Sequence, residues 1–113
     1  MTGLFVLEEE NMTFSEALEQ LKLGKKLKRK NWNGKDQFVF LIKGDDVVRT
    51  YLLKLSYEEK NELEKDPISR MLMHVADIDI ADLLAIKTTS NKIQLGWLAS
   101  QTDMLSNDWE VIE

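Results

Sequence analysis

In Lys25-Lys26-Leu27-Lys28-Arg29-Lys30-Asn31-Trp32-Asn33-Gly34 the residue types alternate from Lys26 onward, and that period of two makes the segment a strand. Lys26, Lys28 and Lys30 fall on one face. Leu27, Arg29 and Asn31 fall on the other, so Arg29 points with Leu27 toward the interior or a pocket. Asn33-Gly34 is the residue pair of a tight turn, and Gln37 to Lys43, carrying Phe38, Val39, Phe40, Leu41 and Ile42, returns as a second strand. The two form an antiparallel hairpin.

Upstream of this hairpin, Thr13-Phe14-Ser15-Glu16 is a capping box that opens a helix. Phe14, Ala17, Leu18 and Leu21 recur on one face of it, and Gly24 supplies the left-handed residue that stops it. Downstream, Gly44-Asp45-Asp46 offers a turn into a further strand, Val47 to Leu53, extending the meander. Ser56-Tyr57-Glu58-Glu59 repeats the capping-box pattern and predicts a helix that runs through the charged stretch to Lys65 and closes at Asp66-Pro67. Ile68 to Leu84 is open between two readings: helical spacing near Met71, Leu72 and Val75, strand alternation in Asp77-Ile78-Asp79-Ile80. Ala85 to Thr88 and Lys92 to Leu98 flank Ser90-Asn91 as another hairpin, and Glu110 to Ile112 is a final strand. The class is α+β: a small antiparallel sheet of hairpins with the N-terminal amphipathic helix packed across it.

At 113 residues the chain has the size of one domain, and no repeat, low-complexity tract or linker divides it, so residues 1–113 are expected to form a single ligand-binding domain. Its 43 % hydrophobic and 31 % charged residues are the balance of a folded chain rather than a disordered one. With no cysteine there is no disulfide, thiol nucleophile or thiolate metal site. The apolar patch Leu4 to Leu7 has neither the basic flank nor the cleavage site of a signal peptide, and no apolar run approaches the roughly 18 residues of a membrane span. A cytoplasmic location is expected.

The formal charge of −5 argues against general nucleic-acid binding. Seven of the fifteen basic residues nevertheless lie between Lys22 and Lys35 with no acid among them. That segregation suits a small anionic ligand, and it equally suits an edge strand protected by lysines against aggregation.

Catalytic signatures are sparse. His74 is the only histidine and sits beside Met73 and Val75, in a structural setting. Asp77, Asp79 and Asp82 lack the glycine and distal glutamate of a calcium loop and are read as solvated or capping carboxylates. The five glycines are scattered singly, which excludes a P-loop. No catalytic residue, metal ligand or cofactor is assigned. What stands out is a pair of polar-aromatic clusters, Arg29 to Lys35 and Trp97 to Asp103 followed by Asp108-Trp109, which hold all three tryptophans. Indole beside arginine and short polar residues is the vocabulary of nucleotide recognition. The alternative is that the tryptophans fill the core and Ser100-Gln101-Thr102-Asp103 caps a short turn.

These same residues carry a family resemblance. Phe14-Ser-Glu-Ala-Leu18, Gly24 to Lys35, and Trp97-Leu-Ala-Ser-Gln-Thr-Asp-Met-Leu-Ser-Asn-Asp-Trp109 resemble the core pattern of the phage Thoeris anti-defence proteins of the second type, with order and spacing intact over roughly Met12 to Phe40 and Ala85 to Glu113. Relative to short members of that family, about residues 45–84 form a helix-rich insertion and residues 1–11 an N-terminal extension. The resemblance implies a sheet-plus-helix protomer assembled as a dimer of dimers, with pockets near subunit interfaces that hold glycocyclic ADP-ribose in the cytosol of an infected host, uncleaved. Some relatives hold cyclic dinucleotides instead. In this chain it implies base or ribose packing by Trp32 and Trp97 and a pyrophosphate fork from Arg29. Ser100, Gln101 and Asp103 would read ribose hydroxyls or the purine edge, with Asn33 assisting and Trp109 and Phe14 in the core. A signal-cleaving phosphodiesterase or lyase, and a protein-interaction module anchored by the tryptophans, are the rival functions.

Overall fold

The computed structural model describes residues 12–32, 36–57, 65–74 and 78–112. The N-terminal extension, the Asn33-Gly34 turn, residues 58–64 and Val75 to Asp77 lie outside the described residues. Along the chain run α1 (Phe14–Lys22), β1 (Lys26–Arg29), β2 (Phe38–Ile42), α2 (Gly44–Tyr57), α3 (Pro67–His74), β3 (Leu83–Lys87), β4 (Ile93–Leu95), α4 (Gln101–Leu105) and β5 (Trp109–Ile112). The fold is α+β, as the sequence patterns require. The strands form one antiparallel sheet in the order β4-β3-β2-β1-β5. The chain comprises two compact units, Met1–Leu41 with Leu83–Glu113, and Ile42–Asp82.

In the first unit, α1 begins at the predicted capping box: the Thr13 hydroxyl accepts from the Glu16 amide at 3.2 Å, and the Glu16 carboxylate accepts from the Thr13 amide at 3.1 Å. It stops at Gly24, whose φ of +89° lets the Gly24 and Lys25 amides turn back onto the Leu21 and Gln20 carbonyls, the pattern of a Schellman cap. Between these caps Ala17 and Leu21 are fully buried. They pack with Leu27, Val39, Ile86 and Trp109 to make the core, with Phe14, Trp32, Trp97 and Val111 partly buried around it.

β1 buries Leu27 and Arg29 and turns Lys26 outward, following the alternation. It lies between β2 and β5: Leu27 faces Val39 on β2, while Lys26, Leu27, Lys28 and Arg29 face Ile112, Val111, Glu110 and Trp109 on β5. The hairpin of β3 and β4 forms as expected, with Asn91 taking the left-handed conformation, φ +62°, in its turn.

The second unit corrects two expectations. Val47 to Leu53 is not a strand but the middle of α2. Strand alternation would mix polar and apolar residues on both faces there, whereas Val47, Val48 and Tyr51 share a helical face. The chemistry read as a turn starts this helix instead: the Lys43 carbonyl accepts from Asp46 and Val47, the Asp82 carboxylate accepts the Gly44 amide at 2.8 Å, and Asp45 and Asp46 complement the dipole in the first turn. Asp82 is thus a capping carboxylate, one of the two roles foreseen for it. Glycine is required at position 44, because a Cβ there would collide with the Ile80 backbone carbonyl. Ser56 and Tyr57 do not open a new helix, since they already belong to α2. The charged stretch that the expected helix would cross, residues 58–64, lies outside the described residues. Pro67 is the first residue of α3, where its missing N–H costs nothing, and Asp66 accepts from the Ile68 amide and the buried Ser69 hydroxyl. Residues 78–80 are irregular, and the strand begins at Leu83.

Candidate functional site

The pairing of β1 with β5 sets Arg29 directly opposite Trp109. Cross-strand partners share a face, so both side chains stand on the α1 side of the sheet. Arg29 is only 8 % exposed there. A buried guanidinium needs carboxylates, and two come from the far end of the chain. Nε donates to Asp108 Oδ1 at 2.8 Å, and Nη1 donates to Asp103 Oδ1 at 3.0 Å. Asp108 also accepts from the Asn31 amide at 3.0 Å, which ties the strand end to the β5 entry.

Asp103 is the most heavily used side chain of the site. It lies in α4, whose start is a second capping box: the Ser100 hydroxyl accepts from the Asp103 amide at 3.1 Å, and Asp103 Oδ2 accepts from the Ser100 amide at 3.2 Å. Its other oxygen accepts from Arg29 and from Trp32 Nε1 at 3.3 Å. Burial pushes the carboxyls of Asp103 and Asp108 up. The hydrogen bonds from Arg29, joined by those from Ser100 and Trp32 at Asp103 and from Asn31 at Asp108, outweigh it and hold both below the usual carboxylate value. The hydrogen bond to Asp108 outweighs burial at Arg29 and raises its pKa. Charges so paired suit positioning rather than proton transfer at neutral pH.

The three tryptophans meet edge to face. Centroids are 5.3 Å apart for Trp32 and Trp109, 6.2 Å for Trp97 and Trp109, and 6.3 Å for Trp32 and Trp97, with interplanar angles of 72° to 77°. Trp109 is fully buried beneath the other two, packs on Phe14 and donates from Nε1 to the Asp103 carbonyl at 2.9 Å. Trp97 is brought in by Gly96, at φ +79°, and by donation of the Trp97 amide to the Leu84 carbonyl at 2.7 Å.

Of the residues singled out from sequence, the fold therefore brings together Arg29, Trp32, Trp97, Ser100 and Asp103. Gln101 opens α4 and is exposed. Asn33 lies outside the described residues. Asp108 was missed as a partner of Arg29, and Trp109 joins the site as well as the core. The acid next to a strand-starting tryptophan was the available signal for Asp108, and Ser-x-x-Asp at Ser100 was the signal for α4.

A family model described as the Thoeris anti-defense 2-like domain matches residues 12–112. The chain belongs to this family. The Thoeris anti-defense 2 match runs through the middle of the chain as well as the two ends that carry the visible resemblance. Among curated proteins, Thoeris anti-defense 2 of Bacillus phage SP01 is 34 % identical over 101 residues, covering 89 % of this chain and 94 % of that protein. Membership of the Thoeris anti-defense 2-like family supports an anti-defence role of phage type. No helix among the described residues is long and apolar enough to cross a membrane.

Proposed function

We propose that the chain binds a cyclic nucleotide immune signal of the glycocyclic ADP-ribose class and sequesters it without cleaving it. Starved of its signal, the Thoeris effector of the infected cell's cytosol stays silent. The observation that carries this reading is the half-buried pair Trp32 and Trp97, fixed on Trp109 and on Asp103, in a family directed against Thoeris defence. Rings already held in place lose little freedom when a base or ribose packs on them, which favours affinity. A sponge needs that affinity: nanomolar binding is about −12 kcal/mol. Gln101 on the exposed start of α4 supplies polar reading, with Ser100, Asp103 and Arg29 fixing its surroundings and Asn33 assisting in the reading.

Calorimetric titration with glycocyclic ADP-ribose, followed by denaturation and chromatography of the released ligand, tests the reading. Tight binding with unchanged ligand supports it; altered ligand would mean an enzyme, and a cyclic dinucleotide bound in its place would change the signal. Stacking on one ring contributes about 1–3 kcal/mol. Trp97→Ala is therefore expected to weaken binding by about 10- to 100-fold. Normal affinity in that variant would place the site elsewhere.

We also propose self-association, with a dimer of dimers as the assembly. The edge strand β4 exposes Ile93 at 58 % and Leu95 at 69 %, and Leu98 and Leu105 nearby in sequence are more exposed still. An apolar sheet edge of this kind calls for cover. Leu95→Lys is expected to lower the assembly state in sedimentation velocity while leaving the circular dichroism of the protomer unchanged. An unaltered sedimentation coefficient would remove β4 from the contact.

A further inference from the structure

The register of β1 with β5 that sets Arg29 and Trp109 on the α1 face sets Lys26 with Ile112, and Lys28 with Glu110, on the opposite face. Because Val39 points inward opposite Leu27, its neighbours Phe38 and Phe40 also stand on that opposite face, their rings 5.8 Å apart. Lys26, Lys28, Asp36, Phe38, Lys87 and Ile112 line a cavity there of about 300 Å³. That is the lower end of the volumes that hold small ligands.

The charges in this cavity are arranged around one ring. Lys26 Nζ lies 5.1 Å and Lys87 Nζ 5.9 Å from the centroid of Phe38. Lys28 is paired with Glu110 at 3.5 Å, whereas neither Lys26 nor Lys87 has a carboxylate within ion-pair distance among the described residues. Lys87 spends one donor on the Asp36 carbonyl at 2.8 Å and keeps two. Two ammoniums drawn to one aromatic ring repel each other, and an anion bridging them relieves that repulsion.

We infer that this face carries a second site, for a small phosphorylated ligand with a flat ring, of the mononucleotide class. The phosphate is held by Lys26 and Lys87, and the ring lies against Phe38. The inference shares no residue with the tryptophan site and does not depend on it.

The probes are adenosine monophosphate and inorganic phosphate, titrated calorimetrically into the full chain at low salt. Replacing two charge-assisted donors is expected to weaken adenosine monophosphate by about tenfold or more in the Lys26→Ala, Lys87→Ala double variant. Lys22→Ala, which removes one positive charge from the exposed side of α1, should change it little. Phe38→Leu should weaken adenosine monophosphate and spare inorganic phosphate. Since all three tryptophans cluster on the other side of the sheet, binding should leave tryptophan emission unchanged. No heat at millimolar adenosine monophosphate, or parental affinity in the double variant, overturns the site. An emission change abolished by Trp97→Ala overturns it too, by placing the ligand on the tryptophans. Equal affinity for the two probes overturns the role of Phe38.

Discussion

Replacing Arg29 with alanine is expected to lower unfolding stability by about 3–5 kcal/mol, because it strands two carboxylates that the fold has withdrawn from water. Arg29, Asp103 and Asp108 keep side-chain exposures of 9 %, 13 % and 25 %, so solvent screens the pair only partly. For a domain holding about 5–15 kcal/mol in total, such a loss is a large share of what keeps it folded. Urea titration is the measurement. Adding Asp108→Asn to Arg29→Ala should recover part of the loss, since it neutralises one stranded charge; a double variant less stable than the single would mean that packing, not charge, dominates. The same arrangement fixes the acid response. Asp103 and Asp108 are held below their ordinary value in the folded chain, so they bind protons more readily when unfolded. Their contribution is therefore complete above about pH 5 and is lost as pH falls through about 4 and below. Arg29, raised instead, keeps its proton throughout the accessible range. The wild-type chain should lose stability over that acid window more steeply than Arg29→Ala.

Trp109→Ala is the second large effect, expected at about 3–5 kcal/mol, the cost of emptying a fully buried aromatic position. Three rings rest on this indole: Phe14, Trp32 and Trp97. Its Nε1 also satisfies the Asp103 carbonyl in α4. Trp109→Phe keeps most of the packing and loses only the hydrogen bond, so it should cost about 1–2 kcal/mol. Thermal melts separate the two variants, and near-ultraviolet circular dichroism should show the alanine variant losing the fixed geometry of Trp32 and Trp97. If both variants melt together, the hydrogen bond rather than the packing carries the position.

The local rules were sufficient where one signal acted alone. Thr13 with Glu16 and Gly24 bracket α1 through backbone chemistry that any context would enforce, and the lysine alternation placed Arg29 inward before any partner was visible. Gly44-Asp45-Asp46 shows the limit: the residues that make a turn also start a helix, and only the carboxylate of Asp82, thirty-eight positions later, selects between them. Pro67 carries the same ambiguity, since proline ends one helix and begins another with equal ease, and here it begins α3. At the site, the tryptophans and Arg29 were legible as chemistry because their types are uncommon together. Their arrangement was not. Arg29 meets its acids across seventy-four and seventy-nine residues of chain, and no periodicity reports a contact of that span.

That span bears on how the chain can change. Among the described residues, those that build the tryptophan site come before Leu41 or after Leu83, while β2 and β3 are neighbours in the sheet joined through the Ile42–Asp82 unit. Joining two adjacent strands through a longer or shorter excursion changes the closure entropy only logarithmically, by about 0.6 kcal/mol per doubling of length. The stretch between them is thus an open slot, in which relatives can lengthen, shorten or replace the connection at little cost in chain entropy while the paired ends keep their registration.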